Sequence, residues 1–157
     1  ITTNHLAIPP LVVTKAINDP TWEIRIKAGI VEAMKSEMGI SMPHETGGVF
    51  IGTVNYKTKT IHVIDLIDAP PDSQANCACF FRGIDGLPEK VKEVNTDSGN
   101  QLGYIGEWHS HPFGPNSMST TDANTIRRFK EEFAEFQTPL PVFLTIITPT
   151  NLLCYVY

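Results

Sequence analysis

The chain has 157 residues, 41% of them hydrophobic and 18% charged, which suits one globular domain with a buried core. Its net charge of −5 argues against a nucleic-acid partner, which would favour a basic face. No apolar run approaches the ~20 residues of a membrane span, and the opening residues lack the basic-then-apolar pattern of a secretory signal, so no membrane partner is expected.

Residues 1–20 have no clear period and are punctuated by Pro9-Pro10 and Asn18-Asp19-Pro20. They are expected to form an arm or linker ahead of a domain spanning residues 21–157. Ile1 is not a natural start residue, so a fragment or a domain of something longer is expected. Thr21 to Ile26 alternates as an edge strand does. Lys27 to Met38 carries apolar residues at Ala28, Ile30, Val31, Ala33, Met34 and Met38, a helical spacing that ends near Gly39. Gly47 to Val54 and Thr60 to Ile67 are rich in β-branched residues and separated by a polar stretch, which predicts a hairpin. Pro70-Pro71 ends the second strand. Ala78 to Arg82 predicts a short strand.

Three cysteines, an odd number, point to a reducing compartment and hence a cytoplasmic location. Cys77 and Cys79 form no Cys-x-x-Cys knuckle and are expected to pack on one strand face. Cys154 is expected to be buried as a small hydrophobe. Pro88 to Asn95 predicts a helix with Val91 and Val94 on one face. Leu102 to Trp108 predicts a strand, Pro112 to Met118 a loop, and Thr120 to about Phe136 a long helix. Ile126, Phe129, Phe133 and Phe136 recur at spacings of three and four, the stripe to be buried. Val142 to Thr148 and Leu152 to Val156 close the chain as a second hairpin. The layout is an α/β sheet flanked by helices.

Chemistry concentrates in Gly106-Glu107-Trp108-His109-Ser110-His111-Pro112 and Ser119-Thr120-Thr121-Asp122. Side chains at i and i+2 of a strand share a face, about 7 Å apart along the chain, so His109 and His111 can converge on one metal ion. Pro112 stops the strand, because it has no N–H for a ladder. Ser119-x-x-Asp122 has the form of a helix start with its carboxylate in the first turn. Asp122 therefore has two readings, a capping-box acid and a metal ligand, and one geometry can serve both. Two imidazoles and one carboxylate are a set that zinc accepts when its fourth position holds water. A general base is still needed, and Glu45, before Gly47-Gly48 and a strand, is the candidate. Taken alone it would read as a surface acid. Gly47 and Gly48 read either as a tight turn or as room for a substrate backbone. Trp108 faces away from His109 and is expected in the core. Glu107 shares the histidine face and either orients a ligand or meets solvent. His44 and His62 read as ordinary surface or strand histidines. No His-Glu-x-x-His occurs, and no Pro-Cys-x-x-Cys follows a His-x-Glu, so two other zinc chemistries are absent.

Glu45-x-Gly-Gly-(apolar)-x-(apolar)-Gly, then His109-Ser110-His111-Pro112, then Ser119-x-x-Asp122, resembles the JAB/MPN/Mov34 (JAMM) metalloprotease family. Met118 stands where many members have Pro, and Glu107 departs from a common aromatic residue. The resemblance implies a JAB/MPN-like, cytidine-deaminase-like fold, a mixed β-sheet flanked by helices. It implies one Zn2+ per chain on His109, His111 and Asp122, water activation by Glu45, and an oxyanion contact from Ser119, which reads equally as a helix N-cap. It implies an isopeptidase or peptidase cutting after a ubiquitin-like C-terminal tail. The compact chain is similar to bacterial JAB proteins that work beside ubiquitin-activating-like and conjugating-like enzymes, including those of antiviral systems. Two alternatives stay open: a non-catalytic MPN scaffold, and a JAB peptidase acting on a sulfur-carrier tail or a cell-wall peptide.

Overall fold

The β-branched and aromatic runs pair into one mixed sheet, in a computed structural model that describes residues 10–138 and 140–157. Its elements are β1 (Leu11–Lys15), β2 (Glu23–Lys27), α1 (Ala28–Ser41), β3 (Gly47–Asn55), β4 (Thr60–Asp68), β5 (Gln74–Ala75), β6 (Phe80–Phe81), α2 (Leu87–Asp97), β7 (Gly103–Ser110), α3 (Thr120–Ala134), β8 (Phe143–Ile147) and β9 (Leu152–Val156). The seven-stranded sheet has the order β1-β2-β4-β3-β7-β8-β9, and β5 pairs with β6 as a separate ribbon. The pairs β2–β4 and β7–β8 are parallel, and the others in the sheet are antiparallel.

The central strands are covered on both faces. All of β8 is buried, as are the first six residues of β3 and the last six of β7. One core cluster joins Ile30, Met34 and Met38 of α1 to Ile26, Phe50, Val63, Trp108 and Ile147. The other joins Ile126, Phe129 and Phe133 of α3 to Leu144, Ile146 and Tyr155. Adjacent β8 residues fall alternately in the two clusters, so the helices lie on opposite faces of the sheet. In the β3–β7 pairing, Phe50 opposes Gly106 but Ile51 opposes Tyr104, which leaves Ile105 as a bulge. The bulge breaks the alternation. Tyr104 is thereby brought to the α3 face, which also holds Glu107 and His109.

The sheet's two edges are tied together. Beyond β1, the Ile17 N–H donates to the Cys154 carbonyl at 2.8 Å. The Asn18 amide donates to the Val156 carbonyl at 2.6 Å, and its oxygen accepts the Val156 N–H at 2.9 Å. This segment covers the edge of β9, which would otherwise present unpaired backbone groups.

The structure departs from several expectations. Part of the stretch expected as an arm, Leu11–Lys15, is the outer strand of the sheet, and residues 1–9 lie outside the described residues. The strand expected at an edge, β2, is interior, with β1 antiparallel on one side and β4 parallel on the other. Cys77 and Cys79 lie in the loop between β5 and β6, where Cys77 is exposed; Asn76 holds that loop by accepting the Ala78 and Cys79 N–H groups. Helix α3 ends at Ala134, so Phe136 lies beyond it and is half exposed. Cys154 is buried as expected, and burial pushes its thiol up to about 11. Among the described residues, no helix is long and apolar enough to cross a membrane.

Candidate metal centre

Three segments meet where β3 begins and β7 ends. The Ser110 N–H donates to the Thr46 carbonyl at 2.8 Å, and the Thr46 N–H donates to Ser110 Oγ at 2.9 Å. The His111 N–H donates to the Ile147 carbonyl at 2.8 Å, which extends the β7–β8 pairing one residue past the strand. Glu45 stands just ahead of Gly47, the register partner of His109, and its N–H donates to the Asn76 carbonyl at 2.8 Å. The fourth segment is the start of α3. The Asp122 N–H donates to Ser119 Oγ at 3.1 Å, and the Ser119 N–H donates to Asp122 Oδ2 at 2.7 Å. This reciprocal capping box fixes the carboxylate in the first turn.

Glu45, His109, His111 and Asp122 come together and are each less than a tenth exposed. His109 Nε2 is 3.2 Å from His111 Nε2. Asp122 Oδ1 is 3.1 Å from His109 Nε2, and Oδ2 is 3.5 Å from His111 Nε2. Glu45 Oε1 is 3.9 Å from His111 Nε2. Glu45, His109 and His111 present ligand atoms within 4.8 Å of one another. His111 Nδ1 lies 3.0 Å from the Pro115 carbonyl, which can only accept, so Nδ1 carries the proton. In the neutral ring Nε2 is then a bare lone pair aimed at the cluster, the arrangement of a metal-ligating histidine.

The spacing fits a divalent cation. Around a tetrahedral ion with bonds of 2.0–2.1 Å, neighbouring donor atoms stand about 3.3 Å apart. The two imidazoles and Asp122 match that edge, whereas Glu45 stands farther off. Two neutral nitrogens with one carboxylate oxygen are also the right chemistry for such an ion.

Burial would raise the Asp122 carboxyl, but the imidazoles of His109 and His111 outweigh it and hold it well below the usual carboxylate range. Burial would also depress the His111 imidazolium; the Asp122 carboxylate, the Pro115 carbonyl and Glu45 reverse this and raise it. Glu45 is raised, chiefly by burial, against the pull of the two histidines. The two carboxylates at this site are thus driven in opposite directions.

The structure treats the remaining candidates differently. Ser119 is half-buried and caps α3. Gly47 and Gly48 form no turn. A Cβ on Gly47 would meet the Trp108 carbonyl and the Phe80 ring, and one on Gly48 would meet the Ile67 carbonyl and Trp108 Nε1. The space beside them is filled by the protein's own neighbours. Trp108 is buried in the core, as expected. Glu107 bonds neither histidine and is not exposed: its Oε1 accepts from Arg82 Nε at 2.8 Å, and the Tyr104 hydroxyl lies 3.2 Å away. Sequence reasoning missed Arg82 and Tyr104. Arg82 is 25 residues from its partner on another element, and Tyr104 reaches it only through the bulge. His44 is exposed, and His62 lies half-buried on β4.

Residues 28–152 match the family described as prokaryotic homologs of the JAB domain. A protein of Enterobacter hormaechei subsp. hoffmannii (strain UCI 50), named CD-NTase/cGAS isopeptidase, is 29% identical over 134 residues, covering 85% of this chain and 72% of that protein. The solution structure of a Desulfitobacterium hafniense protein superposes with a TM-score of 0.55 at 20% identity, over 83% of this chain and 80% of that one, a likeness of fold. With four fifths of its length inside that match and a buried cluster suited to a metal, the chain belongs to the prokaryotic JAB-domain family.

Proposed function

We propose that the chain is a zinc-dependent isopeptidase that hydrolyses the bond after a ubiquitin-like C-terminal tail. The observation that carries the reading is the division of labour between two buried carboxylates around one imidazole pair. Asp122 approaches to 3.1 Å and is fixed by its cap, whereas Glu45 stands 3.9 Å off and is raised by burial. His109, His111 and Asp122 are therefore assigned to the metal, and Glu45 to proton transfer. Zinc held by these three residues would supply a Lewis acid and a water of near-neutral pKa.

Glu45 takes the proton from the attacking water as its oxygen bonds to the scissile carbonyl carbon. The carbon–nitrogen bond then breaks, and Glu45 returns the proton to the leaving amine. The products are a free tail carboxylate and a free amine. The Ser119 oxygen is occupied in accepting the Asp122 N–H, so its own O–H is the part available to the developing oxyanion. The name of the Enterobacter relative supports a nucleotidyltransferase-like conjugate as substrate. Ubiquitin-activating-like and conjugating-like enzymes would supply that conjugate, in an antiviral setting.

The test is intact-mass measurement after zinc-loaded protein is incubated with ubiquitin-like conjugates. The wild-type chain should release the tail as a free acid. Glu45→Gln should lose about 10²- to 10⁴-fold in rate while holding one zinc per chain. Binding of the conjugates without cleavage by the wild type would contradict the hydrolase reading in favour of a scaffold.

A further inference from the structure

Beside the cluster lies a cavity of about 130 Å³, whose lining includes Glu107, His109, Asp122, Arg82, Phe80 and Phe129. Glu45 does not line it. Resting on the mechanism above, the leaving amine lies on Glu45's side, because Glu45 returns its proton. The cavity, which Glu45 does not line, therefore receives the acyl part of the substrate.

Glu107 is the buried group that the mechanism leaves unused. It is 8% exposed and lies on the same face as His109. Its donors converge on one oxygen: Oε1 accepts from Arg82 Nε at 2.8 Å, stands 2.7 Å from the second guanidinium nitrogen, and lies 3.2 Å from the Tyr104 hydroxyl. Oε2 has no hydrogen-bond partner among the described residues, yet it is not one of the fully sealed, unpartnered atoms. Glu107 lines the cavity, and Oε2 is its oxygen left for a donor.

The missing donor can be narrowed. Arg82 already balances the Glu107 charge, and Arg128 lines the same cavity, so a cationic side chain gains little there. Glu107 and His109 share one strand face and line one cavity, so a substrate group held by the Glu107 carboxylate lies beside that imidazole. We propose that Glu107 is a specificity-determining residue whose free carboxylate oxygen accepts the backbone N–H of the residue being cleaved after.

The test uses zinc-loaded protein and two probes: a peptide ending in glycine with a coumarin amide leaving group, and its analogue in which the final glycine N–H is replaced by an ester oxygen. Cleavage rate and affinity are both measured. The wild type should prefer the amide probe by about tenfold or more. Glu107→Gln keeps an oxygen for Arg82 and Tyr104 but turns an N–H₂ toward the cavity. It should cleave the amide probe about ten- to a hundredfold more slowly and show a probe ratio near one, with zinc content unchanged and a lower melting temperature, because Arg82 loses its counter-charge. Wild type without amide preference overturns the inference whatever the variant does, and so does the same preference in both proteins. Cleavage without amide preference overturns this inference alone. Tighter binding of the amide probe without cleavage overturns the hydrolase reading and, with it, this inference. Neither binding nor cleavage overturns both.

Discussion

Ser119 caps α3, and a single substitution tests whether its hydroxyl also serves the reaction. Its Oγ accepts the Asp122 N–H, and its backbone N–H holds Asp122 Oδ2, so the cap and the cluster share one carboxylate. Ser119→Ala removes a cap worth about 1 kcal/mol, which lowers the melting temperature by about 2–4 °C. If the hydroxyl also meets the oxyanion, the rate should fall by about 10²-fold or more as well. A variant that melts lower but keeps its full rate would leave Ser119 as a cap alone. The spacing of His109, His111 and Asp122 made this corner legible in the sequence, because period two on a strand and a helix-start signal are local rules. Glu45 was harder to place, since only the register of Gly47 with His109 brings it near. The partner of Glu107 was not legible. No local rule connects Arg82, next to a two-residue strand, with a carboxylate on β7.

At the scale of elements, strands and helices with strong periods were readable, and their neighbours in space were not. Thr21 to Ile26 alternates as a one-sided strand does, yet β1 lies against it because five residues after a proline pair still reach the sheet. The loop around Cys77 reads as a strand in sequence but is held by the Asn76 side chain. Asn18 is the clearest element-level device that periodicity could not reveal, since it mimics a strand residue with its side chain. Asn18→Ala should cost about 1–3 kcal/mol, because two paired backbone groups of Val156 lose their partner. The check is the denaturant midpoint, which should fall while zinc content stays unchanged. An unchanged midpoint would mean that the closure of the sheet's edges contributes nothing to stability.

Across the whole molecule, the sheet gathers at one end residues separated by up to 77 positions in the chain, from Glu45 to Asp122. That gathering buries two carboxylates beside two imidazoles, which is costly unless a cation joins them. Removing metal with a chelator should lower the melting temperature by on the order of 10 °C, and adding zinc back should restore it. Identical melting curves with and without chelator would contradict a cation in that corner. The most direct measurement is a crystal structure of the zinc-loaded chain with diffraction data on both sides of the zinc absorption edge. One anomalous peak is expected at about 2.0–2.2 Å from His109 Nε2, His111 Nε2 and an Asp122 oxygen, with Glu45 outside bonding range. A peak ligated by Glu45 in place of Asp122, or no peak between the imidazoles, would contradict it.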